Sequence, residues 1–248
     1  MTKQEGVIQC TLDLLIRLQD TTTGLPVDDR SAKFIFDGEE FRPTARGFGN
    51  FILINHGRVN GTMQVKVYGY EPYRVEVNYE ALDERLPAVD VFLIPSENTR
   101  SGQEMLSLSG TLKGISSLEC IHPGRPISGI REFEPKKKVM TIYAPNRRMN
   151  MIHSYYGLYH SEEDTYESIE IVEQIENNKV RLREPLHDEF TVNAPICRRI
   201  FGQVYPDGRY ILKVRDDGKR QKYLVKYVVE GETRYKSVDF REDGEVTL

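Results

Sequence analysis

GFGNFILINHGRVNGTMQVKVYGYEPYRVEV, running from Gly47 to Val77, decides the fold. Phe51, Ile52 and Leu53 form a short apolar run that ends at Asn55 and Gly57. Met63, Val65 and Val67 then alternate with Gln64 and Lys66, and Gly69 breaks the pattern. Tyr73, Val75, Val77 and Tyr79 alternate with Arg74, Glu76 and Asn78. A period of two puts successive side chains on opposite faces, which is the mark of a strand with one buried face. The rival reading is a phosphate-cradling loop. GFGNFI is G-x-G with Ile52 where a third glycine belongs, and it feeds a strand. A dinucleotide motif needs a helix N-terminus there to hold the pyrophosphate. The glycines are therefore read as tight turns between strands.

The same pattern extends in both directions. Upstream, TLDLLIRLQ places Leu12, Leu14, Ile16 and Leu18 on one face and Asp13, Arg17 and Gln19 on the other, predicting a half-buried strand. TTTGLPVDDR breaks it, AKFIF resumes it, and Asp37-Gly38 is a hairpin signal followed by EEFRPT. Downstream, Glu80–Leu86 reads as one short helical turn, and Val89, Val91 and Leu93 supply a closing strand. About seven strands with turn signals roughly every 8–12 residues predict a β-sandwich.

The polar run around residues 98–104 reads as a linker. Beyond it, MLSLSGTLKG, KVMTIY, YESIEIVEQIENNKVRL, ICRRIFGQV, RYILKVR, QKYLVKYVV and TRYKSVDF are all strand-like, with turns at Asn177-Asn178, Pro206-Asp207-Gly208 and Asp216-Asp217-Gly218. No segment holds a 3.6-residue apolar period, so the chain is predicted to be all-β. The predicted division is a sandwich over 1–97, a linker over 98–104 and a second β region over 105–248. The order of motifs after Gly49 recurs after Gly208: an aromatic with two aliphatics, a Val-Lys strand, then an aromatic-basic strand. Chance similarity between meanders and two related sandwiches both account for it. On the second account, 105–134 and 201–248 make one split sandwich carrying a small β-barrel insert over 135–200.

Composition sets outer limits. With 248 residues the chain accommodates two domains or three small ones. A net charge of −4 argues against bulk nucleic-acid binding. Cys10, Cys120 and Cys197 are too few and too scattered for a disulfide framework and are read as reduced, buried thiols. The first residues lack the apolar core of an export signal, and no run is long enough to span a membrane. The expectation is synthesis in the cytoplasm without a signal peptide, compatible with later incorporation into a particle.

Candidate chemistry is sparse. The five histidines show no metal-binding spacing, and His160 with Glu162, Glu163 and Asp164 reads more simply as a charged surface loop. No nucleophile motif appears, although distant residues can assemble a triad that no local pattern reveals. No catalytic, metal or cofactor residue is therefore assigned, and no cofactor is expected. Tyr155, Tyr156 and Tyr159 form an aromatic-dense run with three open readings: β core, protein interface or a sugar-stacking surface. Lys136, Lys137 and Lys138 with Arg147 and Arg148 form a basic strip, read as a solvated face or a salt-dependent protein contact.

The first half also resembles a known family. Asp20, Gly24, Pro26 and Val27, then Gly49, Phe51 and Leu53, then Gly61, Val65, Val67, Gly69 and Tyr70, are similar to the pattern of carboxypeptidase regulatory-like domains, which are prealbumin-like (transthyretin-like) β-sandwiches. The likeness covers about Leu12–Pro95, and the strand at Met63 lacks the family's usual aromatic. It implies a non-catalytic accessory module. HSEEDTYESIEIVEQIENNKVRLREPLHDEFTVNAPI resembles β-barrel segments of phage-tail and contractile-injection-particle proteins. Together these imply a structural or adaptor subunit of a large assembly, in a baseplate or tail-accessory position, with other protein subunits as partners and no nucleic acid. Self-association through sandwich edges is left open. The alternatives are a carbohydrate- or cell-surface-binding β module and a hydrolase with a hidden triad.

Overall fold

Every regular element among the described residues is a strand, apart from one 3-10 turn at Tyr79–Ala81. The computed structural model describes residues 11–96, 105–134, 137–143, 151, 154–176, 178–187, 190, 192–216, 218, 221–241 and 248. The chain is all-β, as the two-residue periodicity predicts. The expected linker at 98–104 lies outside the described residues. Two compact units emerge, Met1–Asp20 with Leu25–Ser101, and Thr21–Gly24 with Gly102–Leu248. Among the described residues no helix is long and apolar enough to cross a membrane.

The first unit contains β1 (Leu12–Asp20), β2 (Lys33–Phe36), β3 (Glu39–Phe41), β4 (Thr44–Gly47), β5 (Asn50–Ile54), β6 (Gly61–Lys66), β7 (Tyr73–Val77) and β8 (Ala88–Leu93). They form two four-stranded sheets, β4-β5-β1-β8 and β3-β2-β6-β7. Both sheets send their alternate apolar residues into one core, built from Leu14, Ile16, Phe34, Phe51, Met63, Val65 and Val91. This is a β-sandwich. The opening stretch forms β5, β6 and β7, with Gly49 and Gly69 in the turns and Gly47 and Gly61 at strand ends. Gly47, Phe48 and Gly49 carry successive φ angles of 80°, 52° and 70°. Gly49 is required for space as well: a Cβ there would lie 2.5 Å from the Leu18 carbonyl oxygen, whose residue donates its N–H to Gly49 O at 2.8 Å.

One strand departs from expectation. β1 is buried on both faces: Asp13, Arg17 and Gln19, expected on the solvent side, are buried along with Leu14, Ile16 and Leu18. Both of its edges are paired. β5 runs antiparallel on one side and β8 parallel on the other, and the polar groups are satisfied locally. Arg17 is paired with Asp90, while the Asp13 carboxylate accepts the backbone N–H groups of His56 and Gly57.

The second unit contains β9 (Met105–Thr111), β10 (Ile115–Ile121), β11 (Ser128–Phe133), β12 (Val139–Ile142), β13 (Ser154–His160), β14 (Thr165–Glu176), β15 (Lys179–Leu182), β16 (Pro195–Phe201), β17 (Gln203–Val204), β18 (Arg209–Arg215), β19 (Lys222–Val229) and β20 (Glu232–Asp239). β11-β12-β15-β14-β13-β16 follow one another side by side, and β11 pairs again with β16 to close a barrel. Ile130, Met140, Tyr156, Leu158, Ile169 and Ile196 fill it. A separate core joins the β17-β18-β9 sheet to β10, β19 and β20 through Leu108, Leu118, Tyr210, Leu212, Val225 and Val238. The barrel starts before the expected boundary at 135. Ser128 and Gly129 pair with Ile196 and Pro195, and Ile130 enters the barrel core, so β11 is a barrel strand.

The wiring of the two units runs in parallel. β5 lies antiparallel to β1, and β6 pairs with both β2 and β7. Likewise β18 lies antiparallel to β9, and β19 pairs with both β10 and β20. One difference stands out: β8 covers the far side of β1, whereas among the described residues β9 ends its sheet.

Candidate functional site

The second unit holds both a buried polar network and an open cleft. The network arises because three neighbouring strands each bring a charged side chain to one place. Glu119 sits in β10, Arg199 in β16 and Lys226 in β19, and Glu119 is the register partner of Lys226. Glu119 is only 7% exposed. Its Oε2 accepts from Arg199 Nε at 2.9 Å and also from a terminal guanidinium nitrogen. Its Oε1 accepts from Ser168 Oγ at 2.8 Å, and Lys226 Nζ donates to that same Oγ at 2.8 Å. Lys226 Nζ stands 3.8 Å from the Glu119 carboxylate.

Aromatic rings frame the charges. The Arg199 guanidinium lies 4.8 Å from the Phe201 centroid and 5.7 Å from that of Tyr155. Lys226 lies 5.3 Å from the Tyr166 centroid, and Tyr235 donates its hydroxyl to Tyr166 O at 2.8 Å. Burial pulls the Lys226 pKa down, with Glu119 opposing the shift, and burial pushes the Tyr166 phenol well up. Lys226 acts as a donor to Ser168, and Ser168 donates onward to Glu119. Both Glu119 oxygens are thus engaged, so the network ties β10, β14, β16 and β19 together as a closed relay of hydrogen bonds.

The thiols are equally withdrawn. Burial raises the Cys120 pKa well above 9.0 and pushes Cys197 up to about 12. Both are free cysteines, and a thiol held protonated is a poor nucleophile. Cys10 lies outside the described residues.

The aromatic run divides by strand alternation. Tyr156 points into the barrel core at 2% exposure. As an interface residue it is therefore corrected: its ring is spent on packing. Tyr155, one residue earlier on β13, faces the polar network and meets Phe201 edge-on at 5.5 Å. Tyr159 is half-buried and donates to Asp164 Oδ1 at 3.0 Å. It lines a cleft of about 400 Å³ together with His160, Glu162, Glu163, Phe190 and Val192. The His160 and Phe190 ring centroids lie 4.1 Å apart with the planes tilted by 32°. Among the described residues no group of three His, Cys, Asp or Glu is placed to hold a metal ion.

The basic strip is neutralised where it is described. Lys137 pairs with Glu134, and Lys138 donates to Arg183 O at 2.7 Å and Glu184 Oε2 at 3.2 Å. Exposed pairs of this kind contribute about 0–1 kcal/mol, so these lysines are locally occupied. Lys136, Arg147 and Arg148 lie outside the described residues. The network residues escaped sequence reading, yet they left a signal: a charge flanked by apolar residues in LECI and LVKYVV, and an arginine pair in ICRRIF.

No family model matches the chain, and no curated protein matches it. Among solved structures, a chimeric titin Z1Z2-Z1Z2 tandem functionalised with a GRGDS peptide from fibronectin is 11% identical over 87% of this chain and 83% of that one. Its TM-score of 0.15 is too low for the likeness to carry an argument.

Proposed function

We propose that this chain is a non-enzymatic structural or adaptor subunit of a larger protein assembly, and that the assembly is a phage-tail-like or contractile injection particle with the chain at a baseplate or tail-accessory position. The observation that carries the first part is the closed state of its reactive groups. Glu119, Ser168, Lys226 and Arg199 satisfy one another, and Cys120 and Cys197 are buried. What remains outward is surface: exposed apolar residues such as Phe48, Val59, Tyr68 and Val192, and sheet edges. The second part rests on the resemblance of residues 160–196 to tail-protein barrel segments, and the accessory role on the carboxypeptidase regulatory-like pattern of the first unit. A tagged pull-down from the native host, with mass spectrometry of what co-purifies, tests it. Tail, tube or baseplate subunits in fixed ratio are expected. The chain recovered only as free protein from cells making intact particles overturns it.

A second reading is favoured by one observation, the cleft beside Tyr159. An aromatic floor with polar walls suits a sugar, whose apolar face stacks on rings. On this reading the chain is a carbohydrate- or cell-surface-binding module. A glycan array is expected to show binding that Tyr159→Ala abolishes, and an array without signal removes this reading.

A further inference from the structure

We infer that the first unit carries a binding site for a small aromatic carboxylate, in a cavity between its two sheets where the chain crosses from β3 to β4. The inference concerns that unit alone and holds whatever assembly the chain belongs to.

The cavity measures about 310 Å³, within the size range of small-molecule sites. β3 belongs to one sheet and β4 to the other, and Arg42 and Pro43 link them. Strand alternation sends Phe34 of β2 and Phe51 of β5 inward, and both are buried in the sandwich core. Phe41 of β3 is half-buried. Its ring centroid lies 5.8 Å from that of Phe34, which in turn lies 5.0 Å from that of Phe51. Three phenyl rings drawn from both sheets thus line one cavity, and a flat ring is the shape that packs against them.

The lip has the opposite character. Arg30, Lys33 and Arg42 line the cavity, with Glu40 as the one carboxylate among the lining residues, and all four are exposed. On a chain of net charge −4 this is a local positive excess. Asp29, beside Arg30, is engaged within its own loop: its Oδ1 accepts the Ser31 N–H at 2.8 Å and the Ser31 hydroxyl at 2.7 Å. A second observation adds to the excess. Lys33 is the register partner of Lys66 across β2 and β6, and like charges placed directly opposite each other destabilise a strand pair. An anion at the lip relieves that repulsion.

The two halves together select the ligand. A bare inorganic anion leaves the rings unused, and a neutral aromatic compound leaves the cations unmatched. A carboxylate on a one- or two-ring aromatic body engages both. Its ring packs against the phenyl groups, while the guanidinium groups at the lip present paired donors to the carboxylate.

The test uses the full chain with 2-naphthoate, benzoate as a smaller acid, and 2-naphthamide as the uncharged isostere. The chain lacks tryptophan, so naphthoate fluorescence reports binding without that background. Saturable one-to-one binding of an acid with Kd below ~1 mM is expected. The amide should bind at least about tenfold more weakly, and affinity for the acid should fall between about 50 and 500 mM salt. Amide chemical shifts are expected to move chiefly in residues 30–34 and 40–45. Arg42→Glu should weaken acid binding about tenfold, and Glu40→Gln, which removes the one repulsive carboxylate, should strengthen it. Both positions are exposed, and circular dichroism checks that the fold is kept. Failure of both acids to saturate, equal affinity for acid and amide, or indifference to both substitutions overturns the inference.

Discussion

Arg17 and Asp90 are register partners across the parallel β1–β8 pair, and they meet as a two-point ion pair. Arg17 Nε lies 2.5 Å from Oδ1 and the terminal nitrogen 2.7 Å from Oδ2. A parallel strand pair has no hairpin to set its register, so a geometrically specific pair of this kind selects one alignment. Arg17 is buried while Asp90 keeps some exposure. Asp90→Ala leaves a guanidinium in the sandwich without its main counter-charge, at a cost of about 3 kcal/mol. Urea unfolding followed by tyrosine fluorescence should show the first unit losing stability by that amount, with Asp90→Glu retaining part of it.

Glu119 plays the corresponding part in the second unit. Its removal strands Arg199 and Lys226 together in a half-dry site, so Glu119→Ala is expected to cost about 3–5 kcal/mol. Ser168→Ala removes one neutral link and should cost about 1 kcal/mol. A double variant that costs less than the sum of the two singles identifies the relay as one coupled unit. Strict additivity would mean that the contacts act independently.

The two tight turns separate conformational strain from steric clash. Gly38 has φ 92° with open space where a Cβ would go, so Gly38→Ala carries only the cost of the left-handed backbone, about 1–2 kcal/mol. Gly49 has φ 70° and a carbonyl oxygen 2.5 Å from that Cβ. Gly49→Ala is expected to exceed the Gly38 effect by at least about 1 kcal/mol. Thermal unfolding of the two variants side by side measures the difference.

Alkaline pH should weaken the second unit. Burial raises Cys120 and Cys197 from 9.0 and Tyr166 and Tyr223 from 10.0, with Cys197 and Tyr223 each reaching about 12. Above these ordinary values the unfolded chain releases protons that the folded chain retains. Unfolding free energy therefore falls as pH rises from about 9 towards 12. Urea midpoints between about pH 8 and pH 11 should decline, more steeply in the second unit than in the first. In the native state at neutral pH both thiols should resist alkylation, and denaturant should expose them.

Much of this architecture was legible along the chain because strands announce themselves locally. The alternation at Met63–Val67 and Tyr73–Val77 needed only a two-residue period, and Asp37-Gly38 needed only the left-handed backbone that a short hairpin demands. Both appear as expected, as β6, β7 and the β2–β3 turn. Tyr156 and Tyr159 could not be sorted between core and surface, since the sequence does not say which face of a barrel wall is inside.

The polar faces required three dimensions. Asp13 and Arg17 looked solvent-facing because alternation records only that two faces differ; that both are buried appears only in the folded unit, where Asp90 and the His56 and Gly57 amides reach them. Glu119, Arg199 and Lys226 are separated by 80 and 27 positions or more in the chain, and only the β16-β10-β19 order makes them neighbours. By itself the sequence determined strand content, turn chemistry and the absence of local catalytic motifs, all set by interactions within a few residues. Pairing order and the barrel closure by β11 were decided by tertiary structure, because backbone hydrogen bonds between strands carry no sequence label of their own.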